Sequence, residues 1–180
     1  MKLKRDFFER DTLIVAKQLL GKYLVYGDLV GQITETEAYI GKDDPACHAC
    51  KGLTPRTKPM FGPAGFSYVY FIYGMYFCFN IVTEKEGFPA AVLIRGVRPI
   101  EGVEIMQERR GEKVRHVNLT NGPGKLCQAF GLTKQQNNLD MCGNSNFYVE
   151  DRGDEFNHFK QTPRIGIKEG LEHYWRFVVE

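Results

Sequence analysis

The chain lacks a long apolar run, a strong charge of either sign and a complete metal-binding signature. None of its 180 residues fall in anything like the roughly 18–20 consecutive apolar residues of a membrane span. The opening Met1-Lys-Leu-Lys-Arg-Asp6 is charged, so no secretory leader is expected there. A formal net charge of +2 gives no general basic field. Any grip on a polyanion must therefore come from a local patch. The five cysteines (Cys47, Cys50, Cys78, Cys127 and Cys142) are odd in number and irregularly spaced. That pattern fits reduced thiols of a cytosol better than a disulfide framework.

Several catalytic signatures are also missing. Cys47-His-Ala-Cys50 is a single C-x-x-C, and no second C-x-x-C or H-x-x-x-H follows to complete a structural zinc site. A zinc deaminase pairs Pro-Cys-x-x-Cys with an upstream His-x-Glu. Here Ala46 separates Pro45 from Cys47, and no histidine precedes His48. No metal is therefore expected, and His48 reads as a pocket hydrogen-bonding group or a loop histidine. Gly122-Pro-Gly-Lys125 is followed by Leu126, where a phosphate loop requires Ser or Thr. No Ser/His/Asp nucleophile spacing is evident, and no lysine stands out as a Schiff-base former, so no lyase step is expected.

What the chain does have is aromatic side chains, nine of them between Phe61 and Phe79. Two β runs, 68–72 and 75–82, meet at Tyr73-Gly74, where glycine suits a tight hairpin. Tyr73 would stand at or beside the tip. Four tyrosine hydroxyls, each needing a partner, make this an unusual core segment. An exposed aromatic on a rigid turn suits a wedge driven between stacked bases.

Elsewhere a helix is expected over 11–20, capped by Asp11 and stopped by Gly21, with strands at 22–26 and 29–39. Residues 41–65 read as an irregular connection. A strand follows at 90–97, then a helix from Pro99 to about Arg110, a charged loop over 111–117 and a short helix over 123–130 closed by Gly131. Short strands are expected at 147–150, 164–167 and 175–179. The sum is one compact α+β domain over 1–180, with a mixed, mainly antiparallel sheet, a protruding aromatic hairpin and few helices.

Period-2 alternation puts Ile33, Glu35, Glu37 and Tyr39 on one face of the second strand. Two carboxylates and a tyrosine beside the hairpin could supply a general base, or could be a solvated strand face. Lys125 at a helix start could hold a phosphate, or be an exposed lysine on a capped turn. Arg56, Lys58, Arg95 and Arg98 are further phosphate candidates.

Three blocks together resemble the alkyladenine (3-methyladenine) DNA glycosylase family. They are Glu35-Thr-Glu-Ala-Tyr-Ile-Gly-Lys-Asp-Asp-Pro-Ala-Cys-His48, Tyr68-Val-Tyr-Phe-Ile-Tyr-Gly-Met-Tyr-Phe-Cys-Phe-Asn80 and Gly122-Pro-Gly-Lys-Leu-Cys-Gln-Ala129. The resemblance runs in order from about Phe7 to the C-terminus, at bacterial length. It implies a metal- and cofactor-free hydrolase that flips a damaged purine from double-stranded DNA and leaves an abasic site. The purines it implies are 3-methyladenine, hypoxanthine and other alkylated or etheno purines. Glu37 would be the general base, with Arg95 beside the water. Tyr39, Tyr70, His48 and Asn80 would form the base pocket, and Tyr73 would fill the gap in the duplex. Arg56, Lys58 and Lys125 remain candidates for the DNA backbone. A monomer in the bacterial cytoplasm, at the nucleoid and away from membranes, is expected. Two other readings stay open: a non-catalytic lesion-recognition protein, and a zinc-dependent nucleobase hydrolase or deaminase.

That pocket poses a geometric problem. In a two-residue hairpin loop Tyr70 faces with Phe77 and Phe79, opposite Asn80. A pocket containing both Tyr70 and Asn80 therefore requires an irregularity near residues 73–75.

Overall fold

The computed structural model describes residues 1–180. Two short N-terminal helices, α1 (Arg5–Phe8) and α2 (Thr12–Gln18), precede β1 (Tyr23–Tyr26) and the long β2 (Leu29–Ile40). After two 3₁₀ turns come the hairpin strands β3 (Ser67–Ile72) and β4 (Tyr76–Val82), then β5 (Ala90–Glu101). Helices α3 (Val103–Arg110) and α4 (Pro123–Phe130) lead to β6 (Phe147–Glu150), β7 (Lys160–Thr162) and β8 (Arg176–Val178). The strands join one sheet in the order β3-β4-β5-β2-β1-β6, with β8 also pairing β2 and β7 pairing β8. Every pairing is antiparallel. The fold is α+β, as the sequence pattern indicates. No helix is long and apolar enough to cross a membrane.

Local chemistry accounts for the element ends. The Asp11 carboxylate accepts from the backbone N–H groups of Leu13 and Ile14, both at 3.0 Å, and so starts α2. Pro123 opens α4, and Gly131 closes it at φ 70°. The apolar residues of α2, β2, β4, β5, α4 and β6 form one continuous core that includes Val15, Ile33, Phe79, Ile94, Phe130 and Phe147.

Three expectations need correction. Pro99 does not begin a helix: it lies inside β5 opposite Gly31, next to a shift in register. A missing N–H is tolerated at such an irregularity. The helix starts at Val103, behind Gly102 at φ 71°. Residues 164–167 are not a strand, because Arg164 is drawn into a buried ion pair and the Ile165 N–H serves a side chain. Third, Ile33 does not share a face with Glu37. The β2–β5 register shifts between Ile33 and Glu35 and again between Glu35 and Thr36, leaving Thr34 and Arg95 as the unmatched residues. One extra residue in a strand reverses the alternation, so Ile33 joins the core with Ala38.

The aromatic hairpin carries the irregularity that the pocket requires. Its loop has three residues, Tyr73-Gly74-Met75, with Tyr73 at φ 53° and Gly74 at φ 69°. Tyr70 therefore pairs with Cys78 and Tyr68 with Asn80. Across the sheet Asn80 opposes Leu93, and Leu93 opposes Glu37. Tyr68, Asn80, Leu93 and Glu37 thus form one row on one face.

Candidate active site

Glu37 has no solvent exposure. One carboxylate oxygen accepts from the Ile165 backbone N–H at 2.8 Å, and the other accepts from the Tyr39 hydroxyl at 2.8 Å. Arg95 Nε stands 3.5 Å from the first oxygen and donates at 2.8 Å to Glu35, which also accepts from Arg176 at 2.6 Å. Burial pushes the Glu37 carboxyl upward, and Arg95, the Ile165 N–H and Tyr39 oppose that rise. Burial disfavours the charge on Arg95, but Glu37 and Glu35 together hold it protonated. Two carboxylates and two guanidiniums thus form a nearly neutral cluster at the bulge where β2 meets β5.

The pocket lies beside this cluster. Tyr39, His48, Tyr68, Tyr70 and Asn80 line an inner cavity of about 20 Å³, room for one water and far too little for a purine. Tyr39, Ala46, His48 and Tyr70 also line a neighbouring cleft of about 820 Å³. Burial lowers the His48 pKa, with Arg56 adding to the effect, so the ring is neutral near pH 7. Burial pushes the Tyr68 hydroxyl up to about 12. Its oxygen lies 3.1 Å from His48 Nδ1. In the tautomer where the phenol donates to Nδ1, the imidazole proton sits on Nε2. Asn80 is buried and donates to the Tyr68 carbonyl at 3.0 Å.

At the mouth of the cleft stands the hairpin tip. Tyr73 is 74% and Met75 65% exposed, and Phe71 and Tyr76 are exposed as well. The Gly122–Lys125 segment forms part of the cleft wall. Its glycine answers a packing need: a Cβ on Gly124 would come within 2.9 Å of the Tyr76 ring. Lys125 donates to Asn121 at 2.9 Å on that wall, and Arg110 and Lys168 are two further cations lining the cleft. Lys58 is exposed and lines neither cavity. Arg56 lies over the Tyr70 ring, 5.2 Å from its centroid, and Arg98 is exposed on β5.

The methylpurine-DNA glycosylase profile matches residues 6–180. This chain belongs to the methylpurine-DNA glycosylase family. It is 53% identical over 175 residues to a protein of Sodalis glossinidius, covering 97% of this chain and 95% of that one. It is 50% identical over 177 residues to a protein of Ehrlichia chaffeensis, at 98% and 92% coverage. A Methanocella arvoryzae protein is 50% identical over 182 residues, at 97% and 90% coverage. All three are named "Putative 3-methyladenine DNA glycosylase". In this methylpurine-DNA glycosylase fold Glu37, Arg95, Tyr39, His48, Tyr70 and Asn80 gather within one site, and Tyr73 stands apart from them at the tip.

Sequence reasoning missed the parts of the site supplied by distant loops. The Ile165 N–H is invisible in a sequence, because any residue but proline offers one. Arg164 grips Asp44 through two bonds of 2.6 and 2.7 Å, both side chains fully buried, and donates to the Ala38 carbonyl at 2.9 Å. Its guanidinium lies 4.7 Å from the Tyr39 ring and 5.1 Å from Trp175. This pair ties the 41–47 loop and the loop carrying Ile165 to the end of β2. Arg164→Met strands a buried carboxylate at Asp44, and we expect it to cost about 3–5 kcal/mol in urea unfolding. Removing both charges, in Asp44→Leu with Arg164→Met, should cost clearly less than the single change. A single variant within about 1 kcal/mol of wild type contradicts the clamp.

Proposed function

We propose that the protein is a monofunctional DNA glycosylase that removes damaged purines from duplex DNA by hydrolysis, as a first step of base excision repair. The observation that carries this reading is the sealed Glu37 carboxylate, set behind two tyrosines on the sheet whose exposed hairpin ends in Tyr73. Extruding a nucleotide costs a few kcal/mol, and less for a damaged or mispaired one. Stacking returns about 1–3 kcal/mol per base. Tyr39 and Tyr70 closing on the purine, with Tyr73 restacking the gap it leaves, are the right size to offset the flip.

Glu37 takes a proton from water as the water oxygen bonds to C1′ of the flipped nucleotide. The N-glycosidic bond breaks and its electron pair leaves with the purine. An alkylated, cationic purine departs as a neutral base. A neutral purine such as hypoxanthine must acquire a proton as it leaves. Arg95 steadies the carboxylate, His48 offers its Nε2 proton to purine acceptors, and Asn80 on the floor disfavours the exocyclic amine of guanine. Lys125, Arg110 and Lys168 suit the flanking phosphates. A single pocket suits a monomer acting in the cytoplasm at the nucleoid. A recognition protein would have no use for a buried carboxylate held by three donors. For a zinc hydrolase, burial pushes the Cys47 thiol up to about 11, and no group of three His, Cys, Asp or Glu side chains converges on one point.

The direct test is a labelled duplex with one hypoxanthine, incubated with EDTA present and then cleaved at abasic sites by alkali. Wild type should yield a strand break. Glu37→Gln should retain lesion binding within a few-fold and lose excision by about 10²–10⁴-fold; retained turnover sinks the assigned role. The pH dependence has a definite sign. The base works only when ionised and its pKa is raised by burial, so single-turnover rate should fall as pH drops through a midpoint above the ordinary carboxylate range. A midpoint within that range contradicts the assignment. Tyr73→Ala should weaken binding to a lesion in duplex DNA more than to the same lesion in a single strand. Equal losses argue against a wedge.

A further inference from the structure

Both tyrosines of the pocket carry a guanidinium on the ring: Arg164 lies over Tyr39 at 4.7 Å and Arg56 over Tyr70 at 5.2 Å. The two are not equivalent. Arg164 is neutralised by its bidentate bond to Asp44. Glu35, Glu37, Arg95 and Arg176 cancel one another within their own cluster. Arg56 enters no ion pair. Of the two guanidiniums over the pocket tyrosines, it is therefore the one without a counter-charge. The turn that carries it is braced: Thr57 Oγ accepts from the Thr54 N–H at 2.9 Å and donates to the Gly52 carbonyl at 3.1 Å. Tyr70 lines both the cleft and the inner cavity, whereas Arg56 lines neither. The guanidinium thus covers the side of the Tyr70 ring turned away from the space a base would enter.

An aromatic face attracts a cation through its negative π density. With one cation already on the back of the ring, a second on the front meets both a depleted π face and direct repulsion through it. We propose that Arg56 is a specificity-determining residue that biases the pocket towards neutral damaged purines and against cationic ones. This rests on the glycosylase reading and names its substrate class: neutral deaminated or etheno purines are favoured relative to alkylated cations. Stacked at about 3.5 Å, a cationic base would sit roughly 9 Å from the guanidinium. Partly solvent-screened charges at that range change an equilibrium by about three- to tenfold.

The experiment is single-turnover excision, at saturating protein, from duplexes carrying one hypoxanthine or one 7-methylguanine, each above its protein-free rate. Arg56→Gln should raise the 7-methylguanine to hypoxanthine rate ratio by about three- to tenfold. Arg56→Lys, which keeps the charge, should move it less. Thermal unfolding of each variant reports that the fold is intact. An unchanged ratio, or an equal loss on both lesions as a phosphate anchor would give, overturns the proposal while leaving the glycosylase intact. Wild-type protein that excises neither lesion removes both readings.

Discussion

A carboxylate with no solvent exposure persists in a fold only if other groups replace the water it lost. At Glu37 that replacement comes from three separate parts of the chain: Tyr39 on its own strand, Arg95 on the neighbouring strand and the Ile165 backbone in a loop 128 residues away. Each is itself held. Arg95 is pinned by Glu35, Glu35 is shared with Arg176 on β8, and Ile165 follows directly on the buried Arg164. The site is thus a hierarchy of compensated charges centred on one acid. The balance leaves the acid with a raised pKa and donors already in place, the state that suits a general base.

The sheet makes this arrangement reachable. A strictly regular β2–β5 ladder would pair Glu35 directly opposite Arg95, whereas here Glu35 pairs with Gly96 and Arg95 is left unmatched. Unmatched Thr34 on one strand and Arg95 on the other offset the register twice, so pairing resumes at Thr36 and Ile94 with the core face unbroken. Within the bulge, Arg95 reaches both carboxylates. The three-residue loop of the β3–β4 hairpin does similar work at the other end of the row, turning Tyr70 and Asn80 to the same face. Bulges next to sites are a recurrent way to re-aim side chains without disturbing the core behind them.

This also marks what the sequence could and could not say. Local signals were legible: Asp11 as a cap, Pro123 and Gly131 bracketing α4, the aromatic hairpin with its glycine, and the Glu-x-Glu-x-Tyr strand. Parity at the hairpin was legible as a requirement, because period-2 geometry makes a one-residue change decisive. The β2 bulge was not, since nothing in Thr34 distinguishes an unmatched residue from a paired one. Pro99 misled because proline opens helices more often than it survives in a strand, and only the register shift beside it explains the exception. The Asp44–Arg164 pair spans 120 residues. No local rule reaches that far.

The same bonds decide which wall of the pocket can yield. Tyr39 is held at its hydroxyl by Glu37, over its ring by Arg164 and along its backbone within a central strand. Tyr70 sits on β3, the edge strand of the sheet, whose only strand partner is β4 and whose outer edge is bonded to residues 136–139 at Ser67 and Val69 alone, with the Cys78 thiol as the polar neighbour of Tyr70. Fewer interactions are lost when an edge hairpin shifts than when a central strand does. Under the proposed function, any displacement that seats a purine against these walls is cheaper on the Tyr70 side. That wall belongs to the same hairpin whose tip carries Tyr73. If Tyr73 acts as the proposed wedge, force on the tip falls on the more yielding wall and spares the wall that holds the acid.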